Sequence, residues 1–218
     1  MEDTTIKDIL KTVESAYQQG DFQGAISTLE KNQIHVTPGL WHYNMGTLYA
    51  KLENFPLARY HFLMSDMEGY TNKDLIKNKK IVEEKLDIPK HEKMLSASDY
   101  FIRGSVEATH GIFTMVCLLI IICGVFLSFR RSNFKAFRFS LVLSCLVLVI
   151  NFWVQNWKKF IVLEGQVLHE GPSSIFLSNQ EVPPGTMIVV LEKDDWLRVL
   201  YPSQYGGWIK HNGIRKLK

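Results

Sequence analysis

Seven histidines (His35, His42, His61, His91, His110, His169, His211), three cysteines (Cys117, Cys123, Cys145) and the pair Asp194-Asp195 are the residues best suited to chemistry. The histidines are scattered, without the short spacings that bring several ligands to one metal ion. All three cysteines fall in uncharged apolar stretches, where they read as small apolar residues. No thiolate is therefore expected outside them to attack a substrate or bind zinc, and no disulfide framework is expected. Asp194-Asp195 stands between two strand-like runs, a place that suits a polar hairpin turn better than an acid/base pair. The chain has no phosphate loop and no nucleophile elbow. These residues predict a non-enzymatic protein, with no catalytic residue, no metal ligand and no cofactor.

The elements that hold such residues begin with two uncharged stretches of 19 residues each, Gly111–Phe129 and Phe139–Trp157. At about 1.5 Å per residue each covers about 28 Å, close to the roughly 30 Å hydrocarbon core of a bilayer. The pattern predicts transmembrane helices at 111–129 and 139–157. The loop between them, 130–138, carries Arg130, Arg131, Lys135 and Arg138. By the positive-inside rule this loop is cytoplasmic and both termini lie outside, which in a bacterium is the periplasm. The chain opens Met1-Glu2-Asp3-Thr4-Thr5, without a basic or apolar leader. Three arrangements stay open: a leader missing from the sequence, a first span acting as a reverse anchor, or inverted topology. Trp153 and Trp157 are expected as interfacial anchors. Neither span carries an ionisable residue of the kind that marks a transport pathway. Thr114, Ser128, Ser144 and Asn151 are expected to join the helices.

Charge is unevenly spread. Residues 1–110 hold 13 basic and 16 acidic side chains, 111–159 hold six basic and none acidic, and 160–218 hold six of each. The basic excess thus sits at the membrane, beside lipid headgroups. No part outside the spans has the electrostatics of a nucleic-acid binder.

Residues 6–88 read as amphipathic helices with short breaks, within a helical domain expected over 1–92. Ala16-Tyr17-Gln18-Gln19-Gly20-Asp21-Phe22-Gln23-Gly24-Ala25-Ile26 aligns with Tyr49-Ala50-Lys51-Leu52-Glu53-Asn54-Phe55-Pro56-Leu57-Ala58-Arg59 at a period near 33. Asp74–Leu86 reads as a third or capping helix, stopped by Pro89. With Trp41, Met45-Gly46, Tyr49, Ala58 and Phe62 in the packing positions, this stretch resembles tetratricopeptide repeats. The resemblance implies a ligand surface on the first helix of each unit: Lys7, Lys11 and Glu14, then Tyr43, Asn44, Thr47 and Lys51. Some members of that family clamp a C-terminal carboxylate, for which Asn44 with Lys73 and Lys77 would serve, although Glu14 on the same face opposes it. Residues 93–110 read as a juxtamembrane linker.

After Lys159 the period changes to two. Met187-Ile188-Val189-Val190-Leu191 and Trp196-Leu197-Arg198-Val199-Leu200 read as strands, with turns at Pro183-Pro184-Gly185 and Tyr205-Gly206-Gly207. The order Gly171-Pro172-Ser173, Pro184-Gly185-Thr186, Trp196-Leu197-Arg198-Val199, Gly207-Trp208-Ile209 and Ile214 resembles a bacterial SH3 (SH3b) domain over 162–218. That family places tryptophans such as Trp196 and Trp208 mainly over the barrel core. It commonly binds cell-wall peptides or other proteins, and Tyr201, Tyr205 and Trp208 are the candidates for such a surface.

The expected fold class is thus a multidomain membrane protein: all-α tetratricopeptide-like repeats, a two-helix transmembrane hairpin and a small all-β SH3-like barrel. This order resembles the BatE-type proteins of bacterial aerotolerance (Bat) operons. The resemblance implies a scaffold in the bacterial inner membrane beside von Willebrand A-domain membrane proteins and a MoxR-type ATPase, in oxidative or envelope stress. A peptidoglycan anchor and a membrane sensor are the alternatives, and nucleic acid is not an expected partner.

Overall fold

The computed structural model describes residues 2–107, 110–131 and 135–218. The chain is 59% helical, with nine α-helices among the described residues and a C-terminal antiparallel sheet.

The first five helices are α1 (Glu2–Gln18), α2 (Phe22–Lys31), α3 (Pro38–Lys51), α4 (Phe55–Met67) and α5 (Lys73–Lys85). The period of 33 is visible in the backbone. Gly20 and Glu53 both take a left-handed turn, and the next residue caps the following helix. Asp21 accepts a hydrogen bond from Gly24 N at 2.9 Å, and Asn54 accepts one from Leu57 N at 3.3 Å. Ala25, Ile26 and Leu29 of α2 close on Val13, Trp41, Met45 and Leu48 to form the first core. The second joins Ala58 and Phe62 to Leu75 and Val82. Between α3 and α4 there is no room for a side chain at Gly46, where a Cβ would lie 2.7 Å from the Phe62 ring.

The chain does not stop at Pro89. α5 ends at Lys85, Asp87 turns left-handed, and Pro89 sits in the first turn of a short helix, α6 (Ile88–His91). Proline is tolerated there because its missing N–H would have no intrahelical partner. Within the expected juxtamembrane linker, residues 93–107 hold a helix, α7 (Ala97–Glu107). Residues 108–109 of the expected linker lie outside the described residues.

α8 (His110–Arg131) and α9 (Lys135–Val154) follow, and residues 132–134 of the expected loop lie outside the described residues. The two helices pack together where Ser144 Oγ donates to Cys117 O at 3.4 Å and Cys117 Sγ donates to Ser144 O at 3.7 Å. Phe137–Val154 spans 18 residues at mean hydropathy 2.0, long and apolar enough to cross a membrane, and 22% of it is buried. In α8 the apolar described run is shorter, Met115–Leu127.

α9 ends three residues before the expected boundary, because Trp157 already belongs to the sheet. The strands are β1 (Trp157–Val162), β2 (Gln166–His169), β3 (Leu177–Val182), β4 (Met187–Lys193), β5 (Trp196–Tyr201), β6 (Gly207–Lys210) and β7 (Ile214–Lys216). Their order is β3-β2-β6-β5-β4-β1-β7. Alternation sends Phe160, Val162, Ile188, Val190, Leu197, Val199 and Ile209 into one core. Asp194 is left-handed in the β4–β5 turn, as a hairpin requires.

The helices and the sheet form one body. Met64 of α4 packs on Ile161 and Leu217, while Ile102 of α7 and Val154 of α9 pack on Trp157, Val189 and Tyr201.

Candidate functional site

Three helices, α1, α3 and α5, border a surface groove. One cavity of about 370 Å³ is lined by Leu10, Val13, Glu14 and Tyr17 of α1 and by Leu40, Tyr43, Asn44 and Thr47 of α3. A second of about 280 Å³ is lined by Lys51, Phe55, Asn78 and Ile81. Tyr17 and Thr47 line both, so the two make one continuous trough.

Of the six groove residues expected from sequence, Tyr43, Asn44, Thr47 and Lys51 come together here. Lys73 and Lys77 line neither cavity. Both start α5 on its exposed side, because Leu75 and Val82 are the residues of that helix that turn inward.

The groove offers mixed chemistry. Asn44 Nδ2 donates to Leu40 O at 3.0 Å and Thr47 Oγ1 donates to Tyr43 O at 3.0 Å, so both side chains bond their own helix. The rings of Tyr43 and Tyr70 lie 5.3 Å apart, and Lys51 Nζ stands 5.5 Å from the Tyr17 ring centre. Burial, helped by the charge of Asp74, pushes the Tyr43 phenol above its ordinary value, which keeps it a neutral donor. An apolar and aromatic floor with a cation at one side and Glu14 at the other suits a peptide better than a small anion. Sequence reasoning missed Tyr17, Phe55, Asn78 and Ile81. Tyr17 and Phe55 belong to the repeated motif, while Ile81 is exposed in the groove on α5.

The barrel candidates do not share a surface. Tyr201 is 0% exposed and Tyr205 7%, both inside the contact with the helices. Tyr201 OH donates to Glu92 O at 3.0 Å, and Tyr205 OH lies 3.2 Å from His91 Nδ1. Burial, followed by the charge of Glu92, raises the Tyr201 pKa. Trp208 stands apart on the outer face of β6, with Arg198 and Lys193 each 6.0 Å from its ring. Trp196 is also outside, edge-on to His169 at 4.8 Å. Both tryptophans are half-buried, while Leu197 and Ile209, their neighbours in the strands, take the fully inward positions.

Two of the scattered histidines meet. His42 Nδ1 and His61 Nδ1 are 2.9 Å apart between α3 and α4, beside Trp41 and Tyr49. Burial above all, then His42 and Arg215, lowers the His61 pKa to about 3. Among the described residues no group of three or more His, Cys, Asp or Glu side chains is placed to hold a metal ion.

No protein-family model, curated protein or solved structure matches this chain, so its resemblances rest on the residues quoted above.

Proposed function

We propose that this chain is a membrane-anchored, non-enzymatic scaffold whose tetratricopeptide-like groove holds a peptide segment of a partner protein. The observation that carries the reading is the continuous trough through Tyr17 and Thr47, open along α1, α3 and α5. α8 and α9 serve as the two spans of the anchor in the bacterial inner membrane, with both termini periplasmic. Supporting this, Leu118, Ile122, Phe126, Val142, Val149 and Phe152 are exposed along both helices, where water would solvate them poorly and lipid tails would not. A two-span anchor also returns the chain to the side it left, which fits the docking of the SH3b-like barrel on the helical unit.

The partners are those the aerotolerance-operon resemblance implies, von Willebrand A-domain membrane proteins and a MoxR-type ATPase, in a complex that answers oxidative or envelope stress. Co-purification of these proteins with the full chain, compared with Tyr43→Ala/Asn44→Ala, tests the groove. Partner recovery should fall while the variant's melting temperature is kept. Unchanged recovery from a folded variant overturns the groove assignment.

One observation favours peptidoglycan as a second ligand. Trp196 and Trp208 face outward with Arg198, Lys193 and Lys210 over their rings. Co-sedimentation of the full chain with purified sacculi, lost in Trp208→Ala, would support that reading.

A further inference from the structure

We infer that α7 is an interfacial helix, which lays Tyr100 and Phe101 into the headgroup–acyl boundary of the bilayer and so seats the docked helices and barrel at a set orientation. The inference rests on α8 and α9 being spans.

Three observations carry it. First, α7 is two-faced, and its inner face is pinned. Asp99 is 0% exposed, accepts from Ser203 N at 2.9 Å and from Ser203 Oγ at 2.7 Å, and Ile102 packs on the sheet. With Asp99, Ile102 and Ser105 held inward, helical geometry must turn Tyr100, Phe101 and Gly104 outward. Tyr100 is 62% exposed and Phe101 50%, although both are large aromatic residues.

Second, Phe101 on that outer face is tied to the C-terminal end of α9 through Trp157. The Phe101 ring lies 6.3 Å from Trp157, and Trp157 lies 5.1 Å from Trp153, which is itself exposed. Trp157 is itself buried, and it ties the exposed rings of Trp153 and Phe101 into one packed aromatic group. Leu95, just before α7, adds a further exposed apolar side chain.

Third, the chemistry fits one occupant. Tyrosine and tryptophan favour the bilayer interface because the ring body is apolar and the tip is polar. The charges on α7 do not oppose this: Arg103 Nε donates to Glu107 Oε1 at 2.9 Å, which pairs them, and Asp99 is already bonded inside. Lys93, exposed just before α7, adds a basic side chain of the kind that pairs with lipid phosphate. A helix held rigidly beside the exit of a span, with its aromatic side outward, fits the lipid surface better than a protein groove.

The test places a photo-crosslinking benzoylphenylalanine, one site at a time, in the full chain reconstituted in phosphatidylcholine/phosphatidylglycerol vesicles. The sites are Tyr100, Phe101, Val149 on the exposed side of α9, and Lys90, an exposed lysine on α6, for comparison. Lipid adducts found by mass spectrometry at Tyr100, Phe101 and Val149, and lost at Lys90, support the inference. Adducts at Val149 without any at Tyr100 or Phe101, or protein adducts at those two, overturn it while leaving the spans intact. Absence of lipid adducts at Val149 as well overturns the membrane reading itself.

Discussion

Arg59 on α4 and Glu92 after α6 form a buried ion pair, Nη1 to Oε1 at 2.5 Å and Nη2 to Oε2 at 3.1 Å. Each partner also holds the barrel. Arg59 Nη1 donates to Gly185 O at 2.6 Å, and Glu92 Oε1 accepts from Met187 N at 2.6 Å. One bidentate pair thus clamps both sides of the turn that opens β4. The fit needs Gly185, whose φ is +85° and where an added Cβ would lie 2.6 Å from Leu86 Cδ1 of the helical unit.

Removing Glu92 leaves the buried Arg59 with only the part-exposed Glu83, 3.4 Å from Nη2, as a counter-charge. Glu92→Ala is expected to cost about 3–5 kcal/mol, read as a lower denaturation midpoint of the detergent-solubilised chain. The double variant Arg59→Met/Glu92→Leu should recover much of that loss, since two apolar side chains leave no charge behind. A double variant less stable than Glu92→Ala would mean that the pair stabilises by attraction rather than by mutual compensation.

The His42–His61 contact makes stability depend on pH. Burial lowers His61 to about 3, against an ordinary value of 6.5, while His42 is lowered by burial more than Glu68 raises it. Below about pH 6.5 the unfolded chain therefore binds protons that the folded chain refuses. Stability is full above about 6.5 and falls as pH drops toward about 3, by up to about 1.4 kcal/mol per pH unit for each proton. The groups facing the pair are Arg215 and Lys218 from the end of the sheet and Glu68 from the end of α4. Denaturation midpoints at pH 7.5 and pH 5 should differ less in His61→Phe than in the parent chain. An equal difference would remove His61 as the cause.

Gly46→Ala tests the close approach of α3 and α4. The new Cβ would sit 2.7 Å from two carbons of the Phe62 ring and 3.2 Å from Ala58 O. Overpacking of this kind costs about 1–3 kcal/mol despite the better helix propensity of alanine. Thermal unfolding measures it, and Phe62→Leu in the same chain should recover part of the loss.

Two spans require both ends of the chain on one side of the membrane. Alkaline phosphatase fused before Met1 and, separately, after Lys218 is expected to be active at both sites, and green fluorescent protein at neither. Fluorescence at both would keep the hairpin but move the groove to the cytosol. Opposite results at the two ends would leave a single span.

Local signals in the chain reached the elements whose cause is local. The repeat of Gly20-Asp21-Phe22 and Glu53-Asn54-Phe55 predicted two turns, and each proves to be a left-handed residue followed by a capping side chain. α7 was equally legible yet read as linker. Ser96 and Asp99 form a capping box, Asp99 N donating to Ser96 Oγ and Ser96 N donating to Asp99 Oδ2. Half of the groove followed from Tyr43, Asn44, Thr47 and Lys51. The other half depended on which side of α5 faces α3, a choice that the apolar residues Leu75, Ile76, Ile81 and Val82 left open.

By itself the sequence determined the repeat helices, the β4–β5 strands and the apolar stretches, because caps, turns and periodicity act over a few residues. Only the tertiary structure decided that Tyr201 and Tyr205 face the helices, that Trp196 and Trp208 face outward, and that His42 meets His61. Those outcomes depend on contacts between elements far apart in the chain, such as Arg59 with Gly185. Burial and charge pairing at such contacts are properties of two surfaces at once, and no local pattern encodes both.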